Sequence, residues 1–108
     1  MAVDHRPIVF VDVETTGLSA RDGRIIEIGM VRVEKGKIVR TLSELIDPGM
    51  EVSWQTTRVT GISTHDVFGK RQFRTLLDEI EEFLNGAIFV AHNAASAVRV
   101  TVISKSCR

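Results

Sequence analysis

Ile8-Val9-Phe10-Val11-Asp12-Val13 is an almost unbroken apolar, β-prone run that ends in Glu14-Thr15-Thr16-Gly17-Leu18. Such a run suits a central strand covered on both faces. Side chains alternate along a strand, so Asp12 and Glu14 share a face with Ile8 and Phe10, while Val9, Val11 and Val13 line the other. Two acids at the end of an apolar strand are costly to bury unless something neutralises them. Hard oxygen donors suit a divalent cation, magnesium or manganese. Asp12 and Glu14 are therefore candidate metal ligands and candidate catalytic residues.

The rest of the chain reads as a short series of elements around that strand. Arg24 to Val33 is a second strand, Glu34-Lys35-Gly36-Lys37 a hairpin turn and Ile38 to Ile46 a third strand. Asp47-Pro48-Gly49 is a turn, and Met50 to Phe68 is less regular. Thr60-Gly61-Ile62-Ser63 reads as a turn before a helix start, capped by Ser63 or Thr64. Phe73, Leu76, Leu77, Ile80, Phe83 and Leu84 recur at helical spacing, with Asp78, Glu79, Glu81 and Glu82 opposite, and Asn85-Gly86 closes that helix. Ala87 to Ala91 reads as a fourth strand, and a helix between strands implies a crossover to a parallel neighbour. The expected class is α/β with a mixed sheet.

Composition narrows the setting. With 108 residues, 44% hydrophobic and 26% charged, the chain suits one small domain. A formal net charge of zero argues against tight nonspecific duplex binding, though not against a cleft that grips a few nucleotides. The single cysteine, Cys107, fits a reducing compartment. The sequence has no apolar run of transmembrane length and no apolar signal core at its start, so a cytoplasmic protein without membrane association is expected.

Val11-Asp12-Val13-Glu14-Thr15-Thr16-Gly17-Leu18 resembles the first motif of the DEDD 3′–5′ exonucleases, in particular the epsilon subunit of bacterial DNA polymerase III and its relatives. Ile25-Ile26-Glu27-Ile28-Gly29 is similar to that family's second strand, Thr60-Gly61-Ile62-Ser63 to its short turn before a helix, and Val90-Ala91-His92-Asn93-Ala94 to the opening of its second motif. The resemblance spans roughly Ile8 to Ala95. It implies a ribonuclease H-like fold and hydrolysis of the terminal phosphodiester at a 3′ end, with four acids holding two divalent ions, Mg2+ or Mn2+. Carried over, Asp12 and Glu14 are the first-motif metal ligands. Thr15, Thr16 and Gly17 approach the terminal nucleotide, Leu18 wedges against its base, and His92 and Asn93 contribute to substrate binding. The implied partners are single-stranded or 3′-terminal nucleic acid and, by resemblance only, a DNA polymerase.

The likeness breaks after Ala95. Where the family's second motif runs on to Phe-Asp, this sequence has Ser96 and Ala97, and no Asp or Glu follows Glu82. Two acids alone repel each other and hold at best one loosely bound ion. The expectation is a partial exonuclease domain over residues 1–95 with an atypical tail over 96–108. The C-terminal part of the family fold is then missing, by truncation or frame disruption, and activity is impaired. The alternatives are a non-catalytic single-strand-binding module and a non-functional fragment. The tail's Val98, Val100 and Val102 also suit an edge strand.

Other residues receive plainer readings. Glu27 is expected as a structural acid at the sheet surface, and the Phe73 to Leu84 stripe as core. Lys70, Arg71 and Arg74 suit either a phosphate contact or a solvated helix start. Trp54 is expected to pack beneath the irregular segment, with base stacking as the other option. His5 and His65 are read as exposed, Asp66 and Asp78 as outside the motif, and Cys107 as a free thiol.

Overall fold

A computed structural model of the chain describes residues 5–17 and 24–91. The order of elements is β1 (Ile8–Thr15), β2 (Ile25–Glu34), β3 (Lys37–Leu45), α1 (Trp54–Thr60), α2 (Thr64–Val67), α3 (Phe73–Leu84) and β4 (Ile88–Ala91). The four strands form one mixed sheet in the order β3-β2-β1-β4. β1 runs antiparallel to β2 and parallel to β4, so the acid-bearing strand is central and α3 belongs to the crossover. The hairpin forms where the sequence places it. Lys35 and Gly36 both adopt positive φ, 52° and 75°, the pair of conformations that matches strand twist in a two-residue turn.

The core lies on one side of this sheet. Val9, Val11 and Val13 from β1 and Ile28 and Met30 from β2 pack against Leu76, Ile80 and Phe83 of α3, all buried. The helix stripe read from the sequence is thus the cover of one face. A smaller cluster of Ile26, Val52, Ile62 and Val67 seats α1 and α2 at the sheet's end. There β2 carries a bulge: Glu14 pairs with Glu27 but Thr15 pairs with Ile25. Arg32 joins sheet to helix, its guanidinium donating to the carbonyls of Phe83 at 2.6 Å and Asn85 at 3.0 Å. The last turn of α3 has no basic residue of its own, so Arg32 supplies the positive charge that its carbonyl end favours.

Three expectations are corrected. β1 is covered on one face only among the described residues: Phe10 on the other face is 45% exposed and Val90 beside it is also exposed. An apolar run shows that a strand suits a core, but it does not supply a second layer. Met50 to Phe68 is more regular than expected: α2 begins where the sequence places a helix start, and α1 precedes it. Trp54 does not pack beneath this segment: it is 68% exposed, and the buried contact of α1 is made by Thr56. Ser63, not Thr64, caps α2, in a reciprocal box with Asp66, so Asp66 has a structural task and His65 lies within the short helix. The backbone and side-chain hydrogen bonds from Ser63 hold the Asp66 carboxyl below its ordinary range.

Candidate active site

The site is built on the uncovered face of β1. Asp12 is exposed and Glu14 half-buried, both on the side of Phe10. Cross-strand pairing gives each acid a different neighbour. Asp12 lies opposite Gly29, which in turn lies opposite Ser43 of β3. Glycine leaves open space beside the Asp12 carboxylate. A Cβ at Gly29 would meet only the Asp12 backbone oxygen, at 3.9 Å, an ordinary contact. Glu14 lies opposite Glu27, half-buried on the same face. Like charges directly across strands are unfavourable, and a cation near them would relieve the repulsion. Glu27 is therefore part of this acidic strand end. The register that brings it opposite Glu14 is the β1–β2 pairing, which shifts after Glu14; the Lys35-Gly36 hairpin fixes only β2 against β3, where Glu27 faces Leu45, so no tight-turn signal in the sequence reveals the Glu14–Glu27 pair.

An open depression of about 750 Å³ includes Asp12 in its lining, with Phe10, Gly29, Thr41, Ser43 and Val90 among others. Its lining combines apolar side chains of the sheet with the polar Asp12, Thr41 and Ser43. Among the described residues no group of three or more His, Cys, Asp or Glu side chains is arranged to hold a metal ion. The donor set that remains, carboxylate oxygens at a strand end, suits Mg2+ or Mn2+ bound with most of its water retained.

The turn after the acids is held from three directions. The Thr16 amide donates to Arg24 O at 2.8 Å, and the Arg24 amide donates to Thr16 Oγ1 at 2.9 Å, tying the end of β1 to the start of β2. Thr15 Oγ1 donates to Gly17 O at 3.0 Å. From α1, Thr56 Oγ1 donates to Thr16 O at 2.8 Å. The structure thus brings Asp12, Glu14, Thr15, Thr16 and Gly17 together. Leu18, His92 and Asn93, and likewise Ala97 and the tail, lie outside the described residues. Of the basic cluster, Arg71 is engaged with Glu79 at 2.8 Å and Glu44 at 4.0 Å, which favours the structural reading over a phosphate contact.

An exonuclease family profile (RNase_T) matches residues 9–103. The chain belongs to this exonuclease family. Its DEDD character agrees with the first motif read above. Across 86 residues this exonuclease-family chain is 46% identical to DNA polymerase III PolC-type of Streptococcus thermophilus (strain ATCC BAA-491 / LMD-9), a match covering 80% of the chain and 6% of that protein. The PolC-type protein of Clostridium perfringens (strain 13 / Type A) is 38% identical over 92 residues, covering 85% of the chain and again 6% of the relative. Among solved structures, Exonuclease X in complex with 5′ overhanging duplex DNA superposes with a TM-score of 0.68 at 34% identity, covering 86% of this chain and 52% of that one. Product-bound exonuclease I gives a TM-score of 0.76 at 12% identity, covering 94% of this chain and 26% of that one, a likeness of fold. The fold is ribonuclease H-like. The exonuclease-family chain spans about half of Exonuclease X and a small fraction of the PolC-type proteins.

Proposed function

We propose that this chain is a 3′–5′ exonuclease-family domain that receives the 3′ end of a nucleic acid at the acidic end of β1, with catalysis impaired in the chain alone. The observation that carries this reading is the placement of Asp12 and Glu14 on one face of a central strand, with Asp12 lining an open depression and Glu14 leading into a turn fixed by hydrogen bonds. The DNA in the Exonuclease X complex supports nucleic acid as the ligand class, and the PolC-type relatives support a link to a DNA polymerase. In the reaction of this class, water attacks the terminal phosphorus and the 3′ oxygen of the preceding nucleotide leaves, releasing a nucleoside monophosphate. Asp12 and Glu14 are the residues that would hold Mg2+ or Mn2+. When bound, two such ions supply water activation and charge stabilisation at the leaving oxygen. Thr15, Thr16 and Gly17 would orient the terminal nucleotide, with Leu18, His92 and Asn93 as the remaining family-implied contacts.

Impairment follows from the donor count. Among the described residues Asp12, Glu14 and the facing Glu27 are not arranged as a group of three that could hold a metal ion, and Ala97 supplies no oxygen where the family motif has Asp. The partial domain over residues 1–95, followed by an atypical tail, belongs to the same proposal. Incubation with a 5′-labelled single strand and Mg2+ or Mn2+ should give no shortening above that of Asp12→Ala. Metal-dependent 3′ shortening that Asp12→Ala abolishes would overturn the impairment. The incomplete donor set also favours a second reading, a single-strand-binding module that no longer cuts. Binding that persists in a chelator, without product, distinguishes it. A non-functional fragment would show neither binding nor a cooperative unfolding transition.

A further inference from the structure

We propose that Thr56 is a positioning residue for the 3′-terminal nucleotide, acting through the Thr16–Gly17 peptide; this rests on the nucleic-acid reading of the site above. Thr56 is the one polar residue that is buried among those described, 9% exposed, and it sits on α1, forty residues away in sequence from the turn it holds. A chain of hydroxyls runs through it. Ser53 Oγ, the N-cap of α1, donates to Thr56 Oγ1 at 3.1 Å, and Thr56 Oγ1 donates to Thr16 O at 2.8 Å. Serial hydrogen bonds of this kind polarise one another.

The peptide that receives this bond is planar and trans, so its N–H, carried by Gly17, points opposite to its carbonyl and away from α1. Donation into the carbonyl both fixes the direction of the N–H and strengthens it as a donor. Gly17 thereby presents a preset amide just beyond Asp12 and Glu14, suited to an oxygen of a terminal sugar or phosphate. Thr16 itself cannot swing to compensate, because its amide and hydroxyl are both engaged with Arg24. The helix that the sequence leaves irregular is thus the part that aims the turn.

The test uses the full chain with Thr56→Val, which removes the hydroxyl at similar shape, and Thr56→Ser, which keeps it. Two readouts are needed: hydrogen exchange of the Thr16 and Gly17 amides, and fluorescence anisotropy with a short oligothymidylate carrying a 5′ fluorophore and a free 3′ hydroxyl. Thr56→Val should speed Thr16 exchange and weaken oligonucleotide binding about five- to tenfold, the worth of one part-buried hydrogen bond, with Thr56→Ser within about twofold of the parent. Faster exchange with unchanged affinity would make Thr56 a structural hold only and overturn the proposal, as would unchanged exchange. If the parent chain itself fails to bind, the nucleic-acid reading falls first and this proposal with it. Parent binding with an indifferent Thr56→Val refutes the positioning role alone.

Discussion

Replacing Arg32 by Met should destabilise the chain more than any other change to a surface charge. The guanidinium sits between sheet and helix with its side chain 16% exposed, donates to Phe83 O at 2.6 Å and Asn85 O at 3.0 Å, and lies 3.4 Å from Glu34. Methionine keeps the stem's packing and removes only the charged donors. Asn85 is exposed, so its carbonyl regains water and that loss is small. Phe83 is buried, so its carbonyl is left with poorer replacement, and a charged hydrogen bond of this kind contributes about 1.5–3 kcal/mol. Adding the lost charge at the carbonyl end of α3, about 0.3–1 kcal/mol, and discounting for partial hydration gives a cost of about 2 kcal/mol. With a urea slope of about 1–2 kcal/mol per molar, the unfolding midpoint should fall by about 1–2 M. Arg40→Met is the matched control. Arg40 lies opposite Arg32, 4.6 Å from the Phe83 ring and 3.5 Å from Glu82, but its side chain is 45% exposed, so about 0.5–1 kcal/mol is expected. Urea unfolding followed by far-ultraviolet circular dichroism measures both. Equal shifts for the two variants would refute the capping role of Arg32.

Ile80 of α3 is fully buried against the sheet, and Ile80→Ala should cost about 3 kcal/mol; a loss below about 1 kcal/mol in the same assay would mean that α3 does not cover that face. The Asp66 carboxyl is held below its ordinary range by Ser63, so its cap on α2 is fully present above the unfolded value near 3.8 and is lost as pH falls through the lower folded value. A carboxyl titration by NMR should therefore place Asp66 below 3.8, and Ser63→Ala should move it back up. Gly29→Val adds a side chain beside Asp12 where only an ordinary contact is met, so stability should change by less than about 1 kcal/mol while Mn2+ binding weakens. Calorimetric titration with Mn2+ checks the second half, and unchanged affinity would separate Gly29 from the site.

The strands and α3 are legible because each depends on a local signal: alternation along β1, a Lys-Gly turn with two positive φ angles, and a six-residue apolar stripe over Phe73 to Leu84. α1 is not, because Trp54 to Thr60 has no apolar stripe and its inward contact is a threonine hydroxyl. Its signals are smaller ones: Ser53 as cap, and Gly61 in the left-handed conformation at its end. The pairing of Asp12 with Glu14 on one face needs only the period of a strand. Opposing Glu14 with Glu27 requires the register of β1 against β2, which no tight turn fixes, and the open depression beside Asp12 depends on which face a distant helix covers. Local chemistry therefore places the acids, and tertiary pairing decides their company.

The parallel pairing of β1 with β4 also sets a schedule for folding. Ile8 pairs with Ile88 and Val11 with Ala91, so the strand that bears the acids gains its second neighbour only when the last described residues are available. The β2–β3 hairpin closes early and β1 joins it through local contacts. At a synthesis rate of about 5–20 residues per second, the other edge of β1 waits roughly 4–16 s for its partner. During that interval a nascent chain exposes an apolar strand edge, and contacts of this long range are slow to form even after synthesis ends. Co-translational chaperone occupancy should be concentrated on β1, and delaying the appearance of Ile88 to Ala91 should lower the yield of folded chain.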